Sequence, residues 1–163
     1  MGFDHGQVSM FARAAFLHNI GKIAIPEDIL RKEGALTPQE EEVFRQHCRH
    51  GYQIVNKIPF LEAAAEIILS HHELWDGTGY PRGLNEEQIP FGARIFAVAA
   101  AFEEMTTERR SHSAQPPNAA KEEIQRRSCR QFDPAAVNAF LSIPDHIWDD
   151  LRKEIDSGAQ PGL

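Results

Sequence analysis

The chain has 163 residues, 42% of them hydrophobic, which suits one compact domain with a single core. Its net charge of -7 and sequence pI of about 5.6 exclude the basic surface that non-specific nucleic-acid binding needs. Two cysteines without a CxxC pair and apolar runs too short for a bilayer exclude a disulfide framework and a membrane span, so a cytoplasmic protein is expected. Cys48 and Cys129 are expected to be ordinary buried thiols.

The first half of the chain predicts helices separated by turns. "VSMFARAAFLHNI" has helical apolar spacing and predicts a helix with one buried face, ended by Gly21. "TPQEEEVFRQHCRHGYQIVNKI" predicts one long helix with Thr37 as N-cap, Pro38 at N1 and Glu40 reaching back. "FLEAAAEIILSHHEL" predicts another, and "FGARIFAVAAAFEEMTTE" the most buried one. The apolar face of the first helix is expected to comprise Val8, Phe11, Ala15, Leu17 and Ile20.

The second half continues with shorter helices. Pro116 and Pro117 follow a polar loop and are expected to stop any helix there. "AKEEIQRRSC" and "PAAVNAFLSI" predict two short helices, the latter with Asp133 as N-cap, and "PDHIWDDLRKEI" predicts a last one. Because no segment alternates with period two, the sequence predicts a single all-α domain over residues 1–155, followed by a flexible tail at 156–163.

Eight histidines stand out in this composition, and four of them lie on three separate predicted helices. His18 ends the first helix, His47 lies in the second, and His71 and His72 end the third. Imidazoles offered by several helices are how a bundle builds a metal site in its core. For each of them singly, a buried, hydrogen-bonded histidine is the alternative. Surface or supporting positions are expected for His5, His50, His112 and His146.

A glycine-rich loop follows the paired histidines in "HHELWDGTGYPRGL". Gly77, Gly79 and Gly83 flank Tyr80 and Pro81, a composition typical of a rigid exposed turn. Such a loop lets backbone approach a ligand closely. A tight turn that merely packs on the bundle is the equal alternative.

Together these motifs resemble the HD-GYP domain, the branch of the HD phosphohydrolase superfamily that opens cyclic di-GMP. The matching segments are "LHNIGKIAIPEDIL", "GALTPQEEEVFRQHCRHGYQIV", "HHELWDGTGYPRGLNEEQIPFGARIFAVA" and "FDPAAVNAF", from about Ala14 to Phe140. The resemblance implies an HD-domain bundle of roughly six or seven helices. It also implies two or three metal ions, held by histidines and carboxylates, that activate water for phosphodiester hydrolysis.

The resemblance assigns roles to individual residues. It places Lys22 on a lysine that faces the phosphates, catalytic only in an active enzyme, and Arg94 on a second phosphate contact. Capping a helix or pairing with acidic neighbours is the equal alternative for both. Tyr80 and Pro81 fall on the signature loop, which borders the nucleotide site and has been linked to contacts with diguanylate cyclase domains. The implied metal ligands are His18, His47, His71 and His72.

Several departures from the family pattern affect the same chemistry. Asn19 replaces the aspartate that bridges two metals, and Ala100 replaces a later aspartate ligand. The family's first helix, which carries an earlier ligand, is expected to be missing. The family's "RPYR" is "RRSH" at 109–112. Glu103 and Glu104 lie close to Ala100 in sequence but are not expected to replace it.

The charge balance therefore favours a degenerate domain. Four neutral imidazoles offset none of the positive charge of two divalent ions, whereas one ion of Fe, Mn, Zn or Ni, or none, remains compatible. The leading hypothesis is a regulatory or interaction module in cyclic di-GMP signalling with impaired or absent hydrolysis. An active phosphodiesterase with a reduced metal site, and a nucleotide sensor without hydrolysis, are the alternatives. Neither nucleic acid nor a membrane is an expected partner.

Overall fold

The computed structural model describes residues 2–108 and 113–156 of the chain. In this part the chain forms nine α-helices, with short 3-10 turns at Ile20–Ala24, Pro59–Leu61 and Glu86–Gln88. The helices are α1 His5–Leu17, α2 Glu27–Leu30, α3 Pro38–Arg45, α4 His47–Val55, α5 Glu62–Ser70, α6 Phe91–Thr106, α7 Pro117–Arg126, α8 Pro134–Leu141 and α9 Asp145–Asp156.

The all-α prediction is confirmed. Over the described ranges, the nearest approach to a strand is one isolated bridge between Ser128 and Phe132. The helices outnumber the expected six or seven because α2 is a four-residue turn and because the long second helix is divided in two. None of the described helices has the length and apolar character that a bilayer span requires. The "RRSH" segment and residues 157–163 of the predicted tail lie outside the described residues.

The predicted start of α3 is confirmed in detail. Thr37 accepts the backbone N–H of Glu40, and the Glu40 carboxylate accepts the backbone N–H of Thr37. The same carboxylate accepts from Lys32, and these bonds lower its pKa from 4.5 to about 2. Asp133 caps α8 as predicted, through the N–H of Ala135. The capping residues thus fix where these helices begin.

The long second helix was predicted as continuous, and this is wrong at Gln46. The backbone N–H of Gln46 bonds to the carbonyl of Val43, which tightens the last turn of α3 into a 3-10 geometry. A new helix then begins at His47. The break matters for function because it places His47 at a helix start, where its side chain can turn into the core.

The prolines before α7 act differently from the prediction. Pro116 and Pro117 were expected to stop a helix, but Pro117 is the first residue of α7 and Pro116 precedes it as N-cap. Proline suits the first helical turn because the missing N–H would have no intrahelical partner there.

Burial is greatest in α5, so the prediction that α6 is the most buried helix is wrong. Six of the nine residues of α5 are buried, compared with four of the sixteen in α6. Helix α5 is central because α1, α4 and α6 all pack against it. The predicted face of α1 also needs correction: Ala14 is its buried residue, with Met10 and Phe11 beside it, whereas Val8 is half exposed.

Gly21 allows the 3-10 turn after α1 to lie directly on α4. A Cβ on Gly21 would come within 1.9 Å of the carbonyl oxygen of His47 and 2.4 Å of the backbone nitrogen of Gly51. No side chain fits such an approach. Gly21 therefore brings the segment that carries His18 and Asn19 next to the start of α4.

Candidate metal centre

Three of the predicted ligands lie in or beside helix ends, and each donates one ring N–H to the backbone carbonyl three residues earlier. The Nδ1 atom of His18 lies 2.6 Å from the oxygen of Ala15, and that of His47 lies 2.7 Å from the oxygen of Phe44. His71 repeats the arrangement at 2.6 Å with Ile68. Because a carbonyl only accepts, Nδ1 carries the proton in each ring and Nε2 carries a lone pair.

Four donor atoms converge in the core between α4 and the end of α5. The ligand atoms of His47, Cys48, His71 and His72 all lie within 4.8 Å of one another. Nε2 of His47 and Nε2 of His71 are 3.4 Å apart. Both are acceptors, and facing lone pairs at this distance repel unless a positive species lies between them. The arrangement therefore suits a cation.

Burial keeps these imidazoles neutral near pH 7. It lowers the pKa of His71 to about 2 and that of His72 to about 4, with further lowering from the neighbouring histidines. The pKa of His47 is also lowered, again mainly by burial. A neutral imidazole is the form that binds a metal ion, so the ligands need not lose a proton first.

Cys48 is the residue that sequence reasoning missed. It was interpreted as an ordinary buried thiol, and it is fully buried, but its sulfur lies 3.6 Å from Nε2 of His47 inside the cluster. Burial raises the pKa of this thiol to about 12. The signal in the sequence was the His-Cys pair itself, because the helix start at His47 was not predicted. The other thiol, Cys129, was also expected to be buried and is instead exposed.

His18 stands beside this cluster rather than in it. Its ring centroid lies 5.5 Å from that of His71 and 5.0 Å from that of Phe96. Its Nε2 accepts a hydrogen bond from the side-chain amide of Asn19 at 2.7 Å. The residue that would be a carboxylate in the family pattern therefore presents a donor to His18.

The glycine-rich loop is held by a buried carboxylate. Glu73, only 3% exposed, accepts the backbone N–H of Arg82 at 2.7 Å and that of Leu84 at 3.0 Å. The loop closes further where the N–H of Tyr80 bonds to the carbonyl of His72. Only glycine fits at position 79, because a Cβ there would come within 2.3 Å of the backbone nitrogen of Leu74. The Glu73 carboxylate is thus used to shape the loop.

The tip of the loop contacts α4 and the cluster of His and Cys side chains. The Tyr80 ring stacks on the His72 ring with centroids 4.8 Å apart, and the guanidinium carbon of Arg45 lies 4.8 Å from the Tyr80 centroid. Arg49 donates to the carbonyl of Pro81 at 3.2 Å. Burial raises the pKa of Tyr80 well above its usual range. Tyr80 and Pro81 are both half-buried, so the loop packs against the helices while its tip stays partly accessible.

The family assignment follows from comparison with known proteins. The family model described as HD domain matches residues 1–136. The chain belongs to the HD domain family.

Curated relatives of this HD domain carry related names. A cyclic di-GMP phosphodiesterase of Thermotoga maritima is 44% identical over 96% of the chain, which covers 43% of that relative. A cyclic di-GMP phosphodiesterase response regulator, RpfG, of Xanthomonas campestris pv. campestris is 41% identical over 100% of the chain and 44% of its own length. The chain therefore spans less than half the length of these relatives. Their names agree with the HD-GYP resemblance of the sequence.

Solved structures confirm the HD fold. A crystal structure of a cyclic GMP-AMP specific phosphodiesterase from Vibrio cholerae matches with a TM-score of 0.63 at 21% identity. The match covers 89% of this HD domain and 41% of that chain. The helical architecture is thus shared.

The donor set of this HD domain fits one metal ion better than two. The group of His47, Cys48, His71 and His72 contains no carboxylate, as judged from the described part of the chain. Ala100 lies one helical turn beyond Phe96 on α6 and has no ligand atom. Asn19 offers a neutral amide. A pair of divalent ions needs anionic oxygens that bridge them, and these positions do not supply any.

Lys22 and Arg94, the two predicted phosphate contacts, lie in different surroundings. Lys22 is half-buried, its Nζ lies 5.4 Å from the Phe44 centroid, and its charge lowers the pKa of His47 and His72. Arg94 forms an ion pair with Asp133 at 2.8 Å, with side chains 15% and 1% exposed. Lys22 is therefore close to the cluster, while Arg94 secures α6 to the start of α8. Their contacts with substrate stay predictions.

Proposed function

We propose that this HD domain is a degenerate HD-GYP-type module of cyclic di-GMP signalling, with one divalent ion and impaired or absent phosphodiesterase activity. The observation that carries the proposal is the hydrogen bond from the Asn19 amide to Nε2 of His18. The amide occupies the position where a bridging carboxylate would be required. It supplies a hydrogen-bond donor in place of negative charge.

The charge balance supports a single ion. Two divalent ions bring four positive charges into a buried cluster, and burying uncompensated charge costs several kcal/mol per ion. Neutral His47, His71 and His72 offset none of that charge. One ion of Fe, Mn, Zn or Ni on imidazoles requires far less compensation. Only with an open coordination position would a bound ion supply Lewis acidity toward a phosphate oxygen.

The glycine-rich loop supports a docking role. Tyr80 and Pro81 lie at its tip, and Glu73 holds its backbone from within. A diguanylate cyclase or another signalling protein is the proposed partner of this surface. Cyclic di-GMP is the proposed small ligand, with Lys22 as its phosphate contact near the cluster. A cytoplasmic location belongs to the same proposal, supported by the free thiols of Cys48 and Cys129.

An active phosphodiesterase with a reduced metal site is the second candidate. Two observations favour it: the relatives are named as cyclic dinucleotide phosphodiesterases, and His47, His71 and His72 converge with Lys22 nearby. In that case Lys22 would be a catalytic residue that holds a phosphate oxygen.

Elemental analysis combined with turnover separates the two candidates. The purified chain should contain at most one ion and should show little hydrolysis of cyclic di-GMP when manganese or iron is added. Two ions per chain, with turnover that the His47→Ala variant abolishes, would overturn the proposal. The matched control is His146→Ala, because His146 is exposed on α9.

A further inference from the structure

The position of Cys48 distinguishes this centre from one built of histidines and carboxylates. Cys48 lies in the first turn of α4 directly after His47, and its side chain is fully buried. Its sulfur lies 3.6 Å from Nε2 of His47 and within 4.8 Å of a ring nitrogen of His71 and of His72. The sulfur is therefore within reach of an ion held by the three imidazoles.

The distances fit a tetrahedral ion with mixed nitrogen and sulfur ligands. With Zn–N bonds of about 2.0–2.1 Å and a Zn–S bond of about 2.3 Å, tetrahedral angles give N–N separations of about 3.4 Å and N–S separations of about 3.6 Å. In the structure, Nε2 of His47 lies 3.4 Å from Nε2 of His71 and 3.6 Å from the sulfur of Cys48. Two edges of the tetrahedron are therefore already at the length that zinc requires.

The fourth corner is available to His72. All four donor atoms lie within 4.8 Å of one another. The remaining donor–donor separations therefore need to shorten by about 1 Å to reach tetrahedral values. His72 is the least buried of the four, and its ring lies between the Tyr80 ring and the rings of His47 and His71. His18 is less suited to this corner because its Nε2 already accepts from Asn19.

A thiolate would also change the charge of the site. Metal binding releases the thiol proton, so a bound cysteine contributes one negative charge to a dication. This is charge that Asn19 and Ala100 cannot provide. Sulfur also selects for zinc and other borderline or soft ions over the hard ions that carboxylate sites prefer.

We propose that Cys48 is a metal ligand and that His47, Cys48, His71 and His72 form a mononuclear, zinc-type site with three nitrogens and one sulfur. The proposal rests on the single-ion centre of the proposed function and goes beyond it by naming the anionic ligand and the class of ion. The ion then has a complete tetrahedral shell. Closed shells of this kind are typical of structural zinc sites rather than catalytic ones, which keep an open position.

Cobalt substitution of the whole chain tests the assignment without relying on activity. Chelator-treated protein reloaded with cobalt(II) should show visible bands of tetrahedral intensity and a near-ultraviolet thiolate-to-cobalt charge-transfer band. The Cys48→Ser variant should lose the charge-transfer band, and its zinc affinity should fall by at least about 100-fold, beyond the effect of an outer-shell partner. Cys129→Ser, at the exposed thiol, and His18→Ala should keep the band.

The outcomes separate this proposal from the proposed function. One cobalt ion per chain without a charge-transfer band would overturn the role of Cys48 and leave the single-ion centre standing. Two ions per chain with the band present would overturn the single-ion centre and leave Cys48 as a ligand. Because Cys48→Ser changes a buried position, X-ray absorption of the unmodified zinc-loaded chain provides an independent check. It should show one sulfur at about 2.3 Å, and a shell of nitrogen and oxygen alone would contradict the proposal.

Discussion

The imidazole of His72 stacks on the ring of Tyr80, with centroids 4.8 Å apart and an angle of 20° between the ring planes. This contact joins the cluster of His47, Cys48, His71 and His72 (the His-Cys cluster) to the tip of the glycine-rich loop. The backbone supports it, because the N–H of Tyr80 also bonds to the carbonyl of His72. A change at the loop tip therefore reaches a side chain of the His-Cys cluster through one ring contact.

Replacing Tyr80 should show how much this contact contributes. Tyr80→Ala removes the stack, and the free energy of unfolding should fall by about 1 kcal/mol or more, since aromatic pairs contribute about 0.5–1.5 kcal/mol beyond area burial. Tyr80→Phe keeps the ring and should stay close to the parent in urea unfolding. Equal losses for the two variants would show that the hydroxyl, rather than the stack, is what matters.

Glu73→Gln should loosen the glycine-rich loop. The carboxylate accepts two backbone N–H groups, and glutamine can replace only one acceptor while pointing its own N–H groups at the other donor. The free energy of unfolding should fall by about 2 kcal/mol, and amide exchange should accelerate at Arg82 and Leu84. Glu62→Gln, at the exposed first turn of α5, is the matched control and should have little effect. Unchanged exchange in the loop would contradict the role of Glu73.

Restoring the missing carboxylates should increase metal content. The double variant Asn19→Asp with Ala100→Asp adds two negative charges beside the cluster and should raise the ion stoichiometry above that of the parent. Hydrolysis of cyclic di-GMP should rise at least about tenfold, equivalent to about 1.4 kcal/mol of transition-state stabilisation. Asn19→Ala with Ala100→Asp is the control with one carboxylate only. Unchanged metal content in the double variant would show that another feature limits the centre.

Breaking the Arg94–Asp133 ion pair should destabilise the junction of α6 and α8. Both side chains are largely buried, and removing one member of such a pair costs about 3–5 kcal/mol because the other charge loses its partner. Asp133→Asn keeps the cap on α8 and should lower the free energy of unfolding by about 3 kcal/mol, with part of this recovered in the double variant with Arg94→Met. A stable Arg94→Met protein that had lost only nucleotide affinity would instead identify Arg94 as a phosphate contact.

The start of α3 should respond to acid through Glu40. Hydrogen bonds from Lys32 and Thr37 lower its pKa from 4.5 to about 2, so the folded state binds this proton less readily than the unfolded chain. The stabilisation is present above pH 4.5 and is lost as the pH falls from 4.5 toward about 2. Glu40→Gln retains the capping geometry, so its stability deficit should shrink over that window in urea titrations. A deficit that is constant with pH would contradict this origin.

Local signals predicted the elements well where a few neighbouring residues decide the structure. The capping pair Thr37 and Glu40, and the cap at Asp133, depend on short-range hydrogen bonds that the sequence displays directly. The histidines were found because their types and order match a known motif. The convergence of His47, His71 and His72 then follows from the helices that carry them.

Tertiary effects explain what was missed. The break at Gln46 has no glycine or proline to signal it, and it depends on how α4 packs against the turn at Gly21. The inclusion of Cys48 in the cluster depends on which face of α4 meets α5, and that is decided by the break. The burial of α5 over α6 arises from its three packing neighbours, which no periodicity within one helix reveals.

The carboxylate of Glu73 has a consequence for how this protein can be recognised. It holds the loop from inside through main-chain donors, so an ion is not needed to maintain the outline of the loop. A partner that binds the surface around Pro81 is therefore expected to find the same loop shape in metal-loaded and metal-free protein. Recognition of the loop by a partner can therefore persist where chemistry at the centre has been lost.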